Sequence, residues 1–245
     1  MRRRDLTEVA AASGLGAWTA LGVLTMLVVG HNGAPLLTDS ALLSWSVHHR
    51  PDVAVALARA ITDTGTGITP YALAVLAGVI VGRTGRQRVL AVSIWVACLG
   101  VGQALRYGLM AIVARPRPPV VDWETHASGW AFPSGHTTTA ALTAGLLVIA
   151  VCLRRPPGRR LLVAAIGTWG VLVGLTRIYL GVHWSTDVVG GWLFALGWLG
   201  LCLSAAARWL PERLDLGSSS SVDAQPREEG HASQDPDRGG RSRPA

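Results

Sequence analysis

Three short segments of the chain hold the residues capable of chemistry: Arg115-Pro116-Arg117-Pro118, Pro133-Ser134-Gly135-His136, and Thr176-Arg177 followed by His183 and Asp187. A phosphate ester carries negative charge that must be neutralised before a nucleophile can approach. Arginine suits that task because its planar fork donates two parallel hydrogen bonds and stays charged near lipid. Arg115, Arg117 and Arg177 are candidates, though Arg115 taken alone reads better as an interfacial arginine bonding headgroups. Ser134 is a natural helix N-cap, Gly135 permits close backbone approach to a ligand, and the free amides of a helix start suit an anion. Taken alone, this tetrapeptide is also what a plain helix cap with an exposed histidine looks like. His183 and Asp187 are spaced i, i+4 and share a face if a helix begins by His183. The carboxylate then fixes the tautomer that leaves the other ring nitrogen free to attack. A structural His–Asp pair is the alternative, but an ionised group at the entry to an apolar segment is costly without a partner. Cations, hydroxyl, backbone amides and two histidines together suit phosphoryl transfer.

The elements that must carry these residues are apolar helices. Half of the 245 residues are hydrophobic and only 15% are charged, which argues against a water-soluble domain. Charge-free runs of bilayer-crossing length, roughly 20 residues, separate clusters of arginine. The spacing predicts spans over 10–29, 67–82, 89–113, 137–153, 161–175 and 188–207. Residues 31–63 mix apolar and polar positions and read as one or two amphipathic helices at the membrane surface. The expected fold is therefore all-α: a six-span transmembrane bundle with amphipathic helices on its outer face. A signal peptide is the rival reading of the first run, disfavoured by its length. After residue 214 the chain turns polar and Ser-rich, so 1–214 reads as an integral-membrane domain and 215–245 as a disordered cytoplasmic tail.

No lysine occurs, and the net charge of +7 comes from arginines that mark the ends of the apolar runs. Their placement fits membrane topology better than nucleic-acid binding, and no nucleic-acid partner is expected. Alternation puts the N-terminus, the turns near 83–88 and 154–160 and the C-terminal tail on one arginine-rich, cytoplasmic side. All three chemical segments then fall on the opposite, outer face. Cys98, Cys152 and Cys202 are too scattered for a metal motif and read as small core residues.

The three segments resemble the signature of the type 2 phosphatidic acid phosphatase superfamily: Lys, six residues, Arg-Pro; then Pro-Ser-Gly-His; then Ser-Arg, five residues, His, three residues, Asp. Here they stand at 110–118, 133–136 and 176–187. The resemblance covers roughly 89–207 and implies a metal-free, cofactor-free hydrolase of membrane lipid phosphates, such as prenyl pyrophosphates or phosphatidate-like lipids, in the plasma membrane. It implies that His183 attacks phosphorus to form a phosphohistidine while Asp187 orients its ring. His136 would protonate the leaving oxygen and later activate water. Arg117, Arg177, Ser134 and the amide of Gly135 would hold the phosphoryl oxygens.

Two departures stand out. Thr176 replaces the family serine and keeps its hydroxyl. Met110 stands where the family has lysine, which removes a phosphate-binding cation. Arg106, one helical turn away, and Arg115 are the candidates to compensate. The alternatives left open are a weakly active or inactive lipid-phosphate binding or flipping protein and, less favoured, a vanadate-dependent haloperoxidase. Trp123, His126 and Trp130 are expected to wall the headgroup.

Overall fold

The computed structural model describes residues 3–209, so the polar tail over 215–245 lies outside the described residues. Among the described residues there are eight α-helices: α1 (Arg3–Gly30), α2 (Leu37–His48), α3 (Asp52–Asp63), α4 (Ile68–Val81), α5 (Gly85–Val113), α6 (Gly135–Arg154), α7 (Arg159–Tyr179) and α8 (Ser185–Trp209). Five of them are long and apolar enough to cross a bilayer, and six if α3 and α4 count as one broken span.

That broken span differs from expectation. The run at 67–82 forms α4, which has 14 residues. At 1.5 Å per residue it reaches only about 21 Å, short of a hydrocarbon core of about 30 Å. α3, expected at the surface, runs into α4 through a bend of 52°. Gly67 makes the bend, holding a φ of +66° that only glycine adopts without strain.

α6 occupies the centre of the bundle, against α4, α5, α7 and α8, while α1 lies along α8. The core joins Ala74, Ala77, Trp95, Leu99, Leu142, Leu146 and Leu199. Small residues bring α1 and α8 together: Gly14 abuts Gly200, and Trp18 packs edge-on to Phe194 at 5.4 Å. The half-buried indole of Trp198 donates its Nε1 to the Cys98 carbonyl at 2.9 Å. The outward faces are apolar, with Met26, Val89, Ile112 and Leu161 exposed. Such a surface is a liability in water and a match for lipid tails. The chain is a multi-pass membrane protein.

α5 starts on a capping box, in which Thr84 Oγ1 accepts from the Gln87 amide at 3.3 Å and Gln87 Oε1 accepts from the Thr84 amide at 3.2 Å. It stops at Ala114, which adopts the left-handed conformation. Pro116 and Pro118 then hold the following segment extended. The Arg115–Pro118 segment therefore emerges from one end of the bundle, where α6 and α8 begin and α7 ends.

Candidate active site

Backbone bonds tie these helix ends together. The Ser134 amide donates to Asp187 O at 3.0 Å, Ala131 to Arg115 O at 2.9 Å, and Val182 to Arg177 O at 3.2 Å. α8 comes close to the start of α6 because residue 191 is glycine, where a side chain would press on Thr137 and the Ser134 carbonyl; one at Gly190 would strike the ring of Phe132, just ahead of α6. The convergence encloses a cavity of about 500 Å³ whose lining includes Arg106, Met110, Arg117, Gly135, His136, Arg177 and His183.

His183 does not lie on a helix: α8 begins two residues later, so the shared-face geometry expected for the i, i+4 pair is not what joins it to Asp187. Instead Asp187 sits in the first turn of α8 and folds back. Its Oδ2 accepts from the Trp184 amide at 2.8 Å and lies 3.4 Å from His183 Nδ1. The opposite ring nitrogen, Nε2, is 2.9 Å from Arg117 Nη1. An arginine can only donate, so Nε2 carries the lone pair and Nδ1 the proton that faces Asp187. Burial above all, then the Arg117 and Arg177 cations and His136, holds the His183 imidazole well below its ordinary proton affinity.

Three arginines reach the cavity, and none forms an ion pair among the described residues. Arg117 donates to the carbonyls of Ser128, Gly129, Trp130 and Val182 as well as to His183, which engages all five of its N–H groups. Burial lowers its proton affinity, an effect that Asp187 opposes. Arg177 donates to Thr62 Oγ1 at 3.0 Å and keeps a buried Nε without a partner. Arg106, 3% exposed, places Nε on Gln103 Oε1 at 3.0 Å and Nη1 on Met110 Sδ at 3.3 Å. Thioether sulfur is a weak acceptor, so the outer nitrogens of Arg106 retain donor capacity. Gln103 is itself bonded to Thr139, another lining residue.

Two candidates lie elsewhere. Arg115, weighed as an interfacial or compensating cation, is fully buried behind the cavity. Its Nη1 meets Asp187 Oδ1 and its Nη2 meets Asp39 Oδ2, both at 2.7 Å. Two carboxylates saturate it, so it reaches neither lipid nor cavity. Ser134, expected to bind phosphate, is also fully buried; it makes no side-chain cap, and its Oγ accepts from Thr137 Oγ1 at 2.9 Å. Gly135 and His136 do face the cavity, at a helix start whose first amides have no intrahelical acceptor.

His126 and Trp130 contribute to the lining, whereas Trp123 packs beneath it with Nε1 on Pro118 O at 2.9 Å. Residues 122–130 are fastened by Arg50, on Asp122 O at 2.7 Å, and by an Arg59–Glu124 ion pair at 3.0 Å. Sequence reasoning passed over Tyr71, Gln103, Tyr107 and Thr139, polar residues within apolar runs whose only signal was that placement, and Thr62 in the mixed stretch over 31–63. It also passed over Asp39, the sole acid between Glu8 and Asp52. Burial opposes the charge on Asp39. Hydrogen bonds from the Thr186 amide, Ser185, Arg115 and the Leu36 amide outweigh it and leave the carboxyl below its ordinary range. Among the described residues, no three His, Cys, Asp or Glu side chains gather as metal ligands would.

The chain resembles known proteins over the same region. Phosphatidylglycerophosphatase B of Bacillus subtilis is 35% identical over 103 residues, covering 41% of this chain and 49% of that protein. Phosphatidylglycerophosphatase B of Escherichia coli is 40% identical over 87 residues, 36% of this chain and 31% of that one. Undecaprenyl-diphosphatase BcrC of Bacillus subtilis is 32% identical over 142 residues, 54% and 66% of the two chains. The matches thus span half or less of the two phosphatidylglycerophosphatases. The crystal structure of a transmembrane PAP2-type phosphatidylglycerolphosphate phosphatase from Bacillus subtilis superposes with a TM-score of 0.69 at 23% identity, covering 82% of this chain and 98% of that one, and shows the same fold. Residues 91–211, which contain the second and third segments, Arg117 and the arginine-lined cavity wall of α5 to α8, match the PAP2 superfamily, and the chain belongs to that superfamily.

Proposed function

We propose that the protein is a metal-independent membrane phosphatase that hydrolyses lipid phosphates or pyrophosphates through a phosphohistidine. One observation carries this reading: His183, neutral and with Nε2 turned away from Asp187, faces a cavity holding His136 and three arginines without counter-anions. A pure binding site has no use for a nucleophilic tautomer; a phosphoryl-transfer site requires one. The names of the relatives, phosphatidylglycerophosphatase and undecaprenyl-diphosphatase, support the same substrate class.

In the reaction, phosphate oxygens take the donors of Arg177, Arg106 and the Gly135 amide, and Arg117 Nη1 passes from Nε2 to the phosphoryl group. Nε2 then attacks phosphorus in line as the bond to the leaving oxygen breaks. His136 protonates that oxygen, then takes a proton from the water that attacks the P–N bond and frees inorganic phosphate. The arginines hold the charge that spreads over the equatorial oxygens. Arg106 supplies the cation missing at Met110. The termini are cytoplasmic and the cavity opens at the outer leaflet of the plasma membrane, where lipid headgroups reach it.

Detergent-purified protein is tested for phosphate release, with chelator present, from undecaprenyl pyrophosphate, phosphatidate and phosphatidylglycerophosphate, beside His183→Ala. Release that ignores chelator and vanishes in the variant is expected. Retained binding with no release from any lipid would replace this reading with that of an inactive binder.

A further inference from the structure

Asp39, Arg115 and Asp187 form a fully buried row in which the arginine bridges two carboxylates, each at 2.7 Å. Asp39 also grips the start of α8: its Oδ1 accepts from Ser185 Oγ at 2.7 Å and from the Thr186 amide at 2.9 Å. Neither Asp39 nor Arg115 touches the cavity, and the phosphatase signature contains neither. A structural clamp accounts for the hydrogen bonds but not for the charge count. Were Arg115 paired with Asp187 alone, the pair would be neutral and would offer the imidazole only the weaker field of a dipole. Positive charge develops on the His183 ring as Nε2 bonds to phosphorus, and apart from Asp187 the groups facing it are two arginines and a second imidazole. Arg117 approaches from the extended segment after α5, Arg177 from α7 and His136 from α6.

We infer that Asp39 is a positioning residue for the reaction: by neutralising Arg115 it leaves Asp187 with an uncancelled negative charge toward His183 while fixing the turn that carries Asp187. The inference rests on the phosphatase reading. With both carboxylates ionised, the row Asp39–Arg115–Asp187 carries a net charge of −1, and His183 is the group positioned to receive it. Arg115 stays because it pins the Arg115–Pro118 segment, through Gly33 O and Ala34 O at 3.3 Å each, and thereby sets where Arg117 stands.

The test uses Asp39→Asn and the double variant Asp39→Asn/Arg115→Gln, assayed for kcat, KM and the pH dependence of kcat/KM. Removing one partner of a buried pair is strongly destabilising, whereas removing both is tolerated, so the double variant also guards against a misfolded single one. Asp39→Asn is expected to lower kcat by about tenfold or more with KM within about twofold, because only transition-state charge is lost. Its acid limb moves to lower pH by about 0.5 or more, since His183 loses net negative charge nearby. The double variant, with both charges gone, restores the charge of Asp187 and returns the limb toward the wild-type position. A merely structural Asp39 would leave the limb unmoved in both proteins, and that result overturns the inference, as does a double variant displaced as far as the single one. The ¹⁵N-imidazole titration of His183 by NMR makes the same comparison without turnover. If wild-type protein hydrolyses no lipid, the phosphatase reading fails while this titration still decides the charge relationship.

Discussion

The two ring nitrogens of His183 face groups of opposite sign, Asp187 at 3.4 Å from Nδ1 and Arg117 at 2.9 Å from Nε2. That polarity sets the tautomer, and burial with the surrounding cations sets the protonation state. Because the folded proton affinity is lowered, His183 stays neutral below the ordinary value of 6.5 and gains its proton only in more acid solution. The acid limb of kcat/KM assigned to His183 is therefore expected below pH 6.5; a limb above it would contradict the cation field. The same sign applies to stability: the unfolded chain takes up a proton that folded His183 refuses, so the fold weakens as pH drops below that value. Asp39 acts in the same direction at lower pH, contributing stability that is lost as pH falls through its lowered carboxylate range. Arg106→Ala is expected to reduce kcat/KM by about 100-fold, the usual cost of one oriented donor to a transferring group. Steady-state kinetics showing full activity would remove Arg106 from the site and leave Met110 uncompensated. His136→Ala is expected to slow turnover by about 10²- to 10⁴-fold, as for other lost acid–base groups.

What was legible in the sequence divides along element lines. The long spans were readable because apolar runs bounded by arginines leave a helix little alternative in lipid; α1, α5, α6, α7 and α8 all cover the expected runs. The run behind α4 was readable as well, but not that it is too short to cross alone and continues α3 through a bend. Arg117, His136, Arg177 and His183 could be named from motif spacing, since each sits at a helix end that the hydrophobic runs already locate. Asp39 and Arg115 could not be joined on paper, because a pairing between α2 and the segment after α5 is set by tertiary packing rather than by local pattern. Ser134 was misread for a related reason: its hydroxyl turns toward Thr137, a choice that the N-cap position leaves open. The junction between α7 and α8 depends on Gly181, which holds a φ of +72° and has the Asp122 carbonyl packed against its α-carbon. Gly181→Ala is expected to cost at least about 1 kcal/mol, seen as a fall in Tm of about 2–4 °C. An unchanged melting curve would mean that the junction tolerates a side chain.

At the scale of the whole molecule, four helix ends bring the cavity-lining arginines and histidines to one end of a bundle whose opposite end carries the arginine turns. Charge asymmetry orients such bundles, with arginine-rich ends held in the cytoplasm. In a protein lacking Cys98, Cys152 and Cys202, a cysteine at Val121 is expected to react with an impermeant thiol reagent added to intact cells. A cysteine at Arg159 is expected to react only after lysis. The reverse pattern would place the cavity in the cytoplasm and change which leaflet supplies the substrate. The most direct test of the central claim is to look for the covalent intermediate. Rapid acid-free quenching of the His136→Ala protein with lipid phosphate, followed by peptide mass spectrometry, is predicted to find phosphate on the imidazole of His183, with none in a His136→Ala/His183→Ala protein. Phosphate release by the wild-type protein with no phosphorylated His183 at any quench time would contradict the account.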